Sequence, residues 1–249
     1  MLRLMLTDRM WENLCFHLKN FRIYHTVHLR RRLEAILWKL KTGAPWRDLP
    51  TEFGPWSSSY NLFNRWAKAE IWEHLFQFFP KDVDWEWAFM DGSVVRAHQH
   101  AAGAERDQQV AIGRSSGGLS SKIHMLADSH GNPIAFEVTE GQVHDMACAE
   151  VLLKECHGET LINDKGYDSE PFRDSVRKKG LIPMIPRRKN SKRPDLDFDK
   201  DLYKERSIME NLFCKLKHFR SVSSRYEKLK RNFVSIVSIG CVMIWLRIL

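Results

Sequence analysis

No C-x-x-C pair occurs anywhere in this chain, and its five cysteines (Cys15, Cys148, Cys156, Cys214, Cys241) are scattered and odd in number. That excludes a disulfide scaffold and a zinc finger, and it fits a reducing compartment, so a cytoplasmic location is expected. Long apolar runs are scarce as well. The run Met1–Leu6 meets Thr7-Asp8-Arg9 at once, too short for a signal peptide. Only the stretch 233–249 approaches the length of a membrane span. It carries Ser235, Ser238, Gly240 and Arg247, so a buried helix is expected there and no membrane partner. Internal repeats are absent, and only the basic stretch 187–200 reads as a loop. Acid is the charge in short supply: 31 Asp and Glu face 39 Lys and Arg, a formal net charge of +8. The excess is clustered at Arg30-Arg31-Arg32, Arg187-Arg188-Lys189, Lys192-Arg193 and Lys228 to Arg231. One such run is an ordinary solvated face. Several on a net basic chain favour a polyanion, most simply DNA or RNA.

With 249 residues the chain can form one large domain or two modest ones. Residues 1–80 read as helical. Thr7 or Asp8 caps a first helix with Trp11, Leu14, Cys15 and Leu18 on one face. A second runs from about Leu29 to Lys41 and stops at Thr42-Gly43-Ala44-Pro45. A short helix near Trp46–Leu49, a break at Gly54-Pro55 and a helix opened by Ser57-Ser58-Ser59 follow. That order, with Asn64, Arg65 and Lys68 exposed, is the pattern of a helix-turn-helix, and a plain helical bundle fits it equally. After Pro80-Lys81-Asp82 the period changes. Trp87–Asp91 reads as a strand extended or bent through Arg96. A glycine-rich link over Gly113–Gly118 precedes strands at Lys122–Ala127 and Pro133–Val138, joined by the turn residues 128–132. Helix His144–Leu153, strand Glu159–Asn163, helix Ser169–Lys179, strand Leu181–Ile185, a long helix Leu202–Phe219 and a last helix from about Lys230 complete the chain. Three strands, helix, strand, helix, strand, helices is the order of the ribonuclease-H-like fold. The expected class is therefore α/β: a mixed sheet with flanking helices over 81–249, preceded by a small all-helical, helix-turn-helix-like domain over 1–80.

Three carboxylates stand where this order would gather them. Asp91 ends the first strand at the sheet centre, Asp164 ends the neighbouring fourth strand, and Glu210 projects from the long helix across those ends. Two-metal phosphodiester chemistry needs hard oxygen ligands on rigid elements, with the ions about 3.5–4 Å apart. Mg²⁺ or Mn²⁺, two ions, is expected, because no Cys/His set competes. Asp91 sits inside an apolar run, where an unpaired carboxylate is costly. For Asp164 a turn role is the rival, and Glu210 alone reads equally as a helix-surface acid. Asp128, Asp145 and Asp168 read as turn or helix-start acids outside the site. Spacings of four from Arg206 to Glu210 and seven to Lys217 put these on one helical face, which Tyr203 can join. Cations flanking a metal-binding acid suit a phosphate backbone, and an ion-paired helix surface fits the spacing as well. His98 and His100 alternate along a strand-like run and read as structural, or at most as polar neighbours of the site.

Several blocks resemble bacterial insertion-sequence transposases of the DDE superfamily: 88–103 around Asp91, Ser120-Ser-Lys-Ile-His124, Gly141-Gln-Val-His-Asp145 and Asp164-Lys-Gly-Tyr-Asp168. Tyr203-x2-Arg206-x3-Glu210-x6-Lys217 is similar to that family's Tyr-Arg-Glu-Lys signature. Lys39–Pro50 with Phe53–Ser57 resembles the N-terminal region of the subgroup named after the fifth insertion sequence, and the likeness runs nearly end to end. The resemblance implies a DNA transposase that binds its element's terminal inverted repeats, cuts them, and joins the freed 3′-hydroxyl to target DNA. It makes 81–249 the catalytic domain. It also implies that Asp91, Asp164 and Glu210 bind two ions, that Tyr203, Arg206 and Lys217 position the DNA end, and that a homodimer forms in the synaptic complex. Ser116, Asn211 and Cys214 depart from the family pattern, in which the first two positions are often basic and the third polar. A catalytically silent DNA-binding repressor or inhibitor derived from such an enzyme is the alternative from a different class, and a nuclease that cuts without joining is a third.

Overall fold

The structure, a computed structural model, describes residues 4–24, 26–80, 83–101, 110–189, 191 and 198–248. The basic pair Lys192-Arg193 and the boundary residues Lys81 and Asp82 lie outside the described residues. Two compact units form. One comprises Met1–Pro80, Arg96–Ala111 and Lys215–Leu249, and the other Lys81–Val95 and Ile112–Cys214.

In the helical unit, α1 (Asp8–Leu18) begins where the Thr7 Oγ1 accepts the Met10 N–H at 3.2 Å, and it buries Met10, Trp11, Leu14 and Leu18 along one face. The helix α2 (Leu29–Thr42) ends at Gly43, which adopts φ +70° and donates its N–H to Lys39 O at 2.9 Å. A side chain there would be strained, so the Thr-Gly-Ala-Pro stop works as expected. The short helix expected before the turn is instead two single 3₁₀ turns, Trp46–Asp48 and Thr51–Phe53. Then α3 (Trp56–Lys68) starts directly after Pro55, so the three serines do not cap it. Glu70 at φ +54° breaks the chain before α4 (Ile71–Gln77).

The sheet unit holds most of β1 (Trp87–Ala97), then β2 (Gly113–Ser115), β3 (Gly118–Ala127), β4 (Pro133–Glu140), α5 (Met146–Glu155), β5 (Thr160–Asn163), α6 (Glu170–Lys178), β6 (Ile182–Met184) and α7 (Lys200–Lys204), and it ends within α8 (Ser207–Lys217). The stretch expected to be a glycine-rich link thus contains β2 and the start of β3. The path β3–β1–β5–β6 forms the sheet centre, with β4 and β2 both antiparallel to β3, and β5 parallel to both β1 and β6. This is the ribonuclease-H-like arrangement. Ala88 and Met90 of β1, Leu126 of β3 and Leu161 of β5 pack with Leu152 and Leu153 of α5 and Phe172 and Val176 of α6 in one buried cluster, which fixes which sheet face the helices cover.

The expected helix Leu202–Phe219 is two helices. Between α7 and α8 the backbone closes through i→i+3 bonds, Arg206 N–H to Tyr203 O at 3.2 Å and Met209 N–H to Arg206 O at 3.0 Å, which wind tighter than an α-helix. Tyr203 therefore lies on α7, and it does not share one continuous helical face with Glu210. His98 and His100 lie past the end of β1, not along a strand, and belong to the helical unit with their rings 4.6 Å apart.

The last elements, α9 (Arg220–Ser223), β7 (Ser224–Arg225) and α10 (Lys230–Leu246), belong to the helical unit. The chain does not pack as one continuous unit over 81–249, because the apolar face of α10 needs the N-terminal helices to cover it: it lies against α4, α3 and α2. The C-terminal run is a buried helix, as expected, and among the described residues no helix is long and apolar enough to cross a membrane. Within this unit the buried Arg225 lies 5.0 Å over the Phe233 ring and donates to the carbonyls of Ala111 (2.9 Å), Val110, Glu227 (2.9 Å) and Lys228 (3.2 Å). Burial pulls its pKa down to about 10, against the pull of Glu227. Arg225→Met leaves several inward-facing carbonyls without a donor. It is expected to cost roughly 3 kcal/mol, read as a lower urea midpoint.

Candidate functional site

The register of β1 and β5 places the first two carboxylates. The last parallel pair is Met90 opposite Asn163, so Asp91 and Asp164 are the next residue of each strand, side by side at the carboxyl ends. Since Ala88, Met90 and Leu161 point into the α5–α6 core, strand alternation turns Asp91 and Asp164 to the opposite face. Asp91 does not end its strand, which continues to Ala97; what ends there is its ladder with β5.

Both aspartates use their own backbone as a first partner. Asp91 Oδ1 accepts the Gly92 N–H at 2.7 Å, and Asp164 Oδ1 accepts the Gly166 N–H at 2.7 Å. The turn role weighed as a rival for Asp164 is therefore real, and it coexists with the strand-end placement. The second oxygen of Asp91 meets Arg206 Nη1 at 3.1 Å, while Arg206 Nη2 meets Glu210 Oε1 at 3.2 Å. Arg206 thus ties Asp91 to Glu210. Burial raises the Asp91 pKa above the ordinary carboxylate range; the Gly92 amide and Arg206 oppose this, and the charges of Asp164 and Asp145 add to it. The Tyr203 phenol is raised as well, by burial first, with Asp164 and Asp91 contributing, which places this ring in the field of both acids. Tyr167 lies buried beneath them. Its hydroxyl finds no hydrogen-bond partner among the described residues, and burial pushes its pKa well above 10, with Asp145, Asp91 and Asp164 adding.

The structure therefore brings Asp91, Asp164, Tyr203, Arg206 and Glu210 into one region of the sheet unit. Lys217, the last residue of α8, and Arg65 and Lys68, exposed in the last turn of α3, belong to the helical unit. The donor set of Asp91, Asp164 and Glu210 is all carboxylate oxygen, which fits Mg²⁺ or Mn²⁺ in kind. Among the described residues no three acidic, cysteine or imidazole groups already close on one point, and Arg206 bridges two of the three carboxylates.

Two acids read as lying outside the site have larger roles than expected. Asp145 stands at the start of α5, yet its side chain caps nothing. It pairs with Lys122 Nζ at 3.2 Å, and His124 Nδ1 lies 3.3 Å away without an aligned hydrogen bond. Burial would raise its pKa, but His124 and Lys122 outweigh that and hold it below the ordinary value. The sequence carried a signal for this: Lys122 and His124 alternate in the otherwise apolar run 122–127, so two polar groups point to one buried face. Asp168 is an ion-pair hub. It accepts from the Arg188 N–H at 2.8 Å and pairs with Arg173 at 3.0 Å and Arg187 at 3.4 Å. The basic run 187–189 is thus partly committed inside the protein, which no count of charges could reveal. Asp128 is the turn residue expected, accepting the N–H groups of His130 and Asn132.

Comparison with known proteins places the chain in a family. Residues 88–246 match the family model described as "Transposase DDE domain", and residues 6–76 match "Putative transposase of IS4/5 family (DUF4096)". The first match covers well over half of the chain, and this protein belongs to the DDE transposase family. It is 34% identical over 134 residues to a putative transposase for insertion sequence element IS6501 from Brucella ovis, covering 52% of this chain and 100% of that protein. It is 28% identical over 136 residues to a putative transposase for insertion sequence element IS402 from Burkholderia cepacia, covering 50% of this chain and 62% of the other. Among solved structures, a chain of the pre-cleavage Mos1 transpososome aligns over 96% of this chain and 98% of that one, at 10% identity and a TM-score of 0.29, a likeness too weak to carry an argument.

Proposed function

We propose that this chain is the transposase of an insertion sequence of the subgroup named after the fifth insertion sequence, and that it binds the element's terminal inverted repeats as double-stranded DNA, cleaves the ends and transfers them to target DNA. The observation that carries this reading is the adjacent placement of Asp91 and Asp164 where the β1–β5 ladder ends, with Glu210 tied to Asp91 through Arg206. Asp91, Asp164 and Glu210 would hold two Mg²⁺ or Mn²⁺ ions. When bound, the ions would polarise the scissile phosphate and activate the attacking hydroxyl. Asp91 binds an ion only as the carboxylate. Its raised pKa means that divalent-ion affinity falls off with acid at a higher pH than an ordinary carboxylate would impose. Arg206, with a planar fork already aimed between two acids, exchanges those partners for a phosphate of the DNA end. Tyr203 lines the same place and orients the terminal nucleotide. Arg65 and Lys68 on α3 and Lys217 on α8 grip the backbone elsewhere along the DNA. Two ends must be joined together, so the working form is a homodimer.

The deciding experiment is cleavage of a labelled element-end duplex in Mg²⁺ by the wild type and by Asp164→Asn. Metal-dependent nicking at the element boundary, lost in the variant, is the expected result. Binding without nicking by the wild type would replace the enzyme with a silent DNA-binding repressor. Lys217→Ala is expected to weaken binding across all duplex sequences and to lower the slope of log affinity against log salt by about one. An unchanged slope would remove Lys217 from the phosphate contacts.

A further inference from the structure

The carboxylate of Asp91 is braced from behind. Asp91 points to the sheet face away from α5 and α6, and Gly92, its neighbour in β1, points to the α5 face by strand alternation. The space where a Gly92 side chain would stand is taken: a Cβ there would lie 2.0 Å from Asp145 Oδ1 and 3.3 Å from Lys122 Cδ. The Lys122–Asp145 ion pair therefore rests on the Gly92 Cα, and the Gly92 N–H in turn donates to Asp91 Oδ1 at 2.7 Å. The pair is itself anchored. His124 is wholly buried, with Nε2 at 2.8 Å from Thr139 Oγ1. With the Thr139 hydroxyl donating to Nε2, the ring carries a proton on Nδ1, which faces Asp145. An unbroken series of contacts runs from the β3–β4 hairpin through His124, Asp145 and Gly92 to one oxygen of Asp91.

We propose that Asp145, held by Lys122 and His124, is a positioning residue for the divalent-ion centre, acting on Asp91 through the backbone of Gly92. It touches neither ion nor DNA. A carboxylate fixed in one rotamer binds an ion without first losing that freedom, and outer-sphere partners of this kind are commonly worth tenfold to a hundredfold in metal affinity. The space at Gly92 has the same explanation: any side chain there pushes the ion pair off the segment it supports.

This inference rests on the reading of Asp91 as a metal ligand, and one set of titrations separates the two. Calorimetric titration of the DNA-free full chain with Mn²⁺ would compare the wild type with Asp91→Asn, Asp145→Asn, Gly92→Ala and the double variant Gly92→Ala/Asp145→Asn, each with its thermal midpoint. Asp145→Asn and Gly92→Ala are each expected to weaken Mn²⁺ binding about tenfold, and the double variant no further than the worse single one, since both break one contact. If Asp91→Asn weakens binding while Asp145→Asn and Gly92→Ala, still folded, leave it unchanged, the brace is refuted and the metal site stands. If Asp91→Asn itself changes nothing, the metal reading fails first. Should Asp145→Asn not fold, Gly92→Ala decides alone, because it displaces the ion pair without removing either charge.

Discussion

Asp91→Asn is expected to abolish end cleavage, by roughly a thousandfold or more, while leaving end binding intact. That is the scale of several kcal/mol of charge stabilisation supplied through a bound ion. The amide is isosteric and can still accept the Gly92 N–H, so the local turn survives. It cannot supply the charged ligand. The same substitution removes a carboxylate whose pKa the fold raises, first of all by burial. A raised acid favours folding least when it is ionised, so at neutral pH the variant should melt no lower than the wild type, apart from what the Arg206 pair contributes. Filter binding, nicking and a thermal melt on one preparation check all three statements. Undiminished nicking would remove Asp91 from the centre.

The second large effect should come from Arg206, and it should have two signs. Its guanidinium lies 3.1 Å from Asp91 and 3.2 Å from Glu210, the two acids it would have to release when cations arrive. Arg206→Ala is expected to tighten Mn²⁺ binding of the DNA-free protein a few-fold, because a partly exposed ion pair is worth about a kcal/mol or less. It should also slow cleavage about a hundredfold, because the fork that would hold the DNA end is gone. Weaker Mn²⁺ binding in this variant would show instead that Arg206 organises the acids rather than competing for them. The distinction matters for mechanism. In the first case DNA binding helps to load the centre by drawing Arg206 onto a phosphate; in the second the centre is ready before DNA arrives.

Much of this was legible in the residues. Apolar alternation and turn residues located every strand of the sheet centre to within a few positions, and strand order alone fixed the fold class. The side-by-side placement of Asp91 and Asp164 followed from the same order, though Asp91 stands inside β1, where its ladder with β5 stops, and not at the strand's end. Less legible were features that depend on partners distant in sequence. Leu202–Phe219 has the spacing of one helix, but tight i→i+3 closure near Arg206, whose side chain pairs with Asp91, splits it. Asp145 has the position of a helix cap, and local reasoning assigned it that role; two strand residues more than twenty positions earlier claim its carboxylate instead.

By itself the sequence determined most of the element types, the ribonuclease-H-like order and the pairing of Asp91 with Asp164 across neighbouring strands, because these depend on local period and on backbone geometry common to all sheets. Tertiary structure decided the rest. It drew residues 215–249 into the helical unit, because α10 packs against helices from the other end of the chain. It joined Asp91 to Glu210 through Arg206, and it set Asp145 behind Gly92, because such pairings depend on which side chains reach one another across the sheet, and sequence spacing carries no record of that distance.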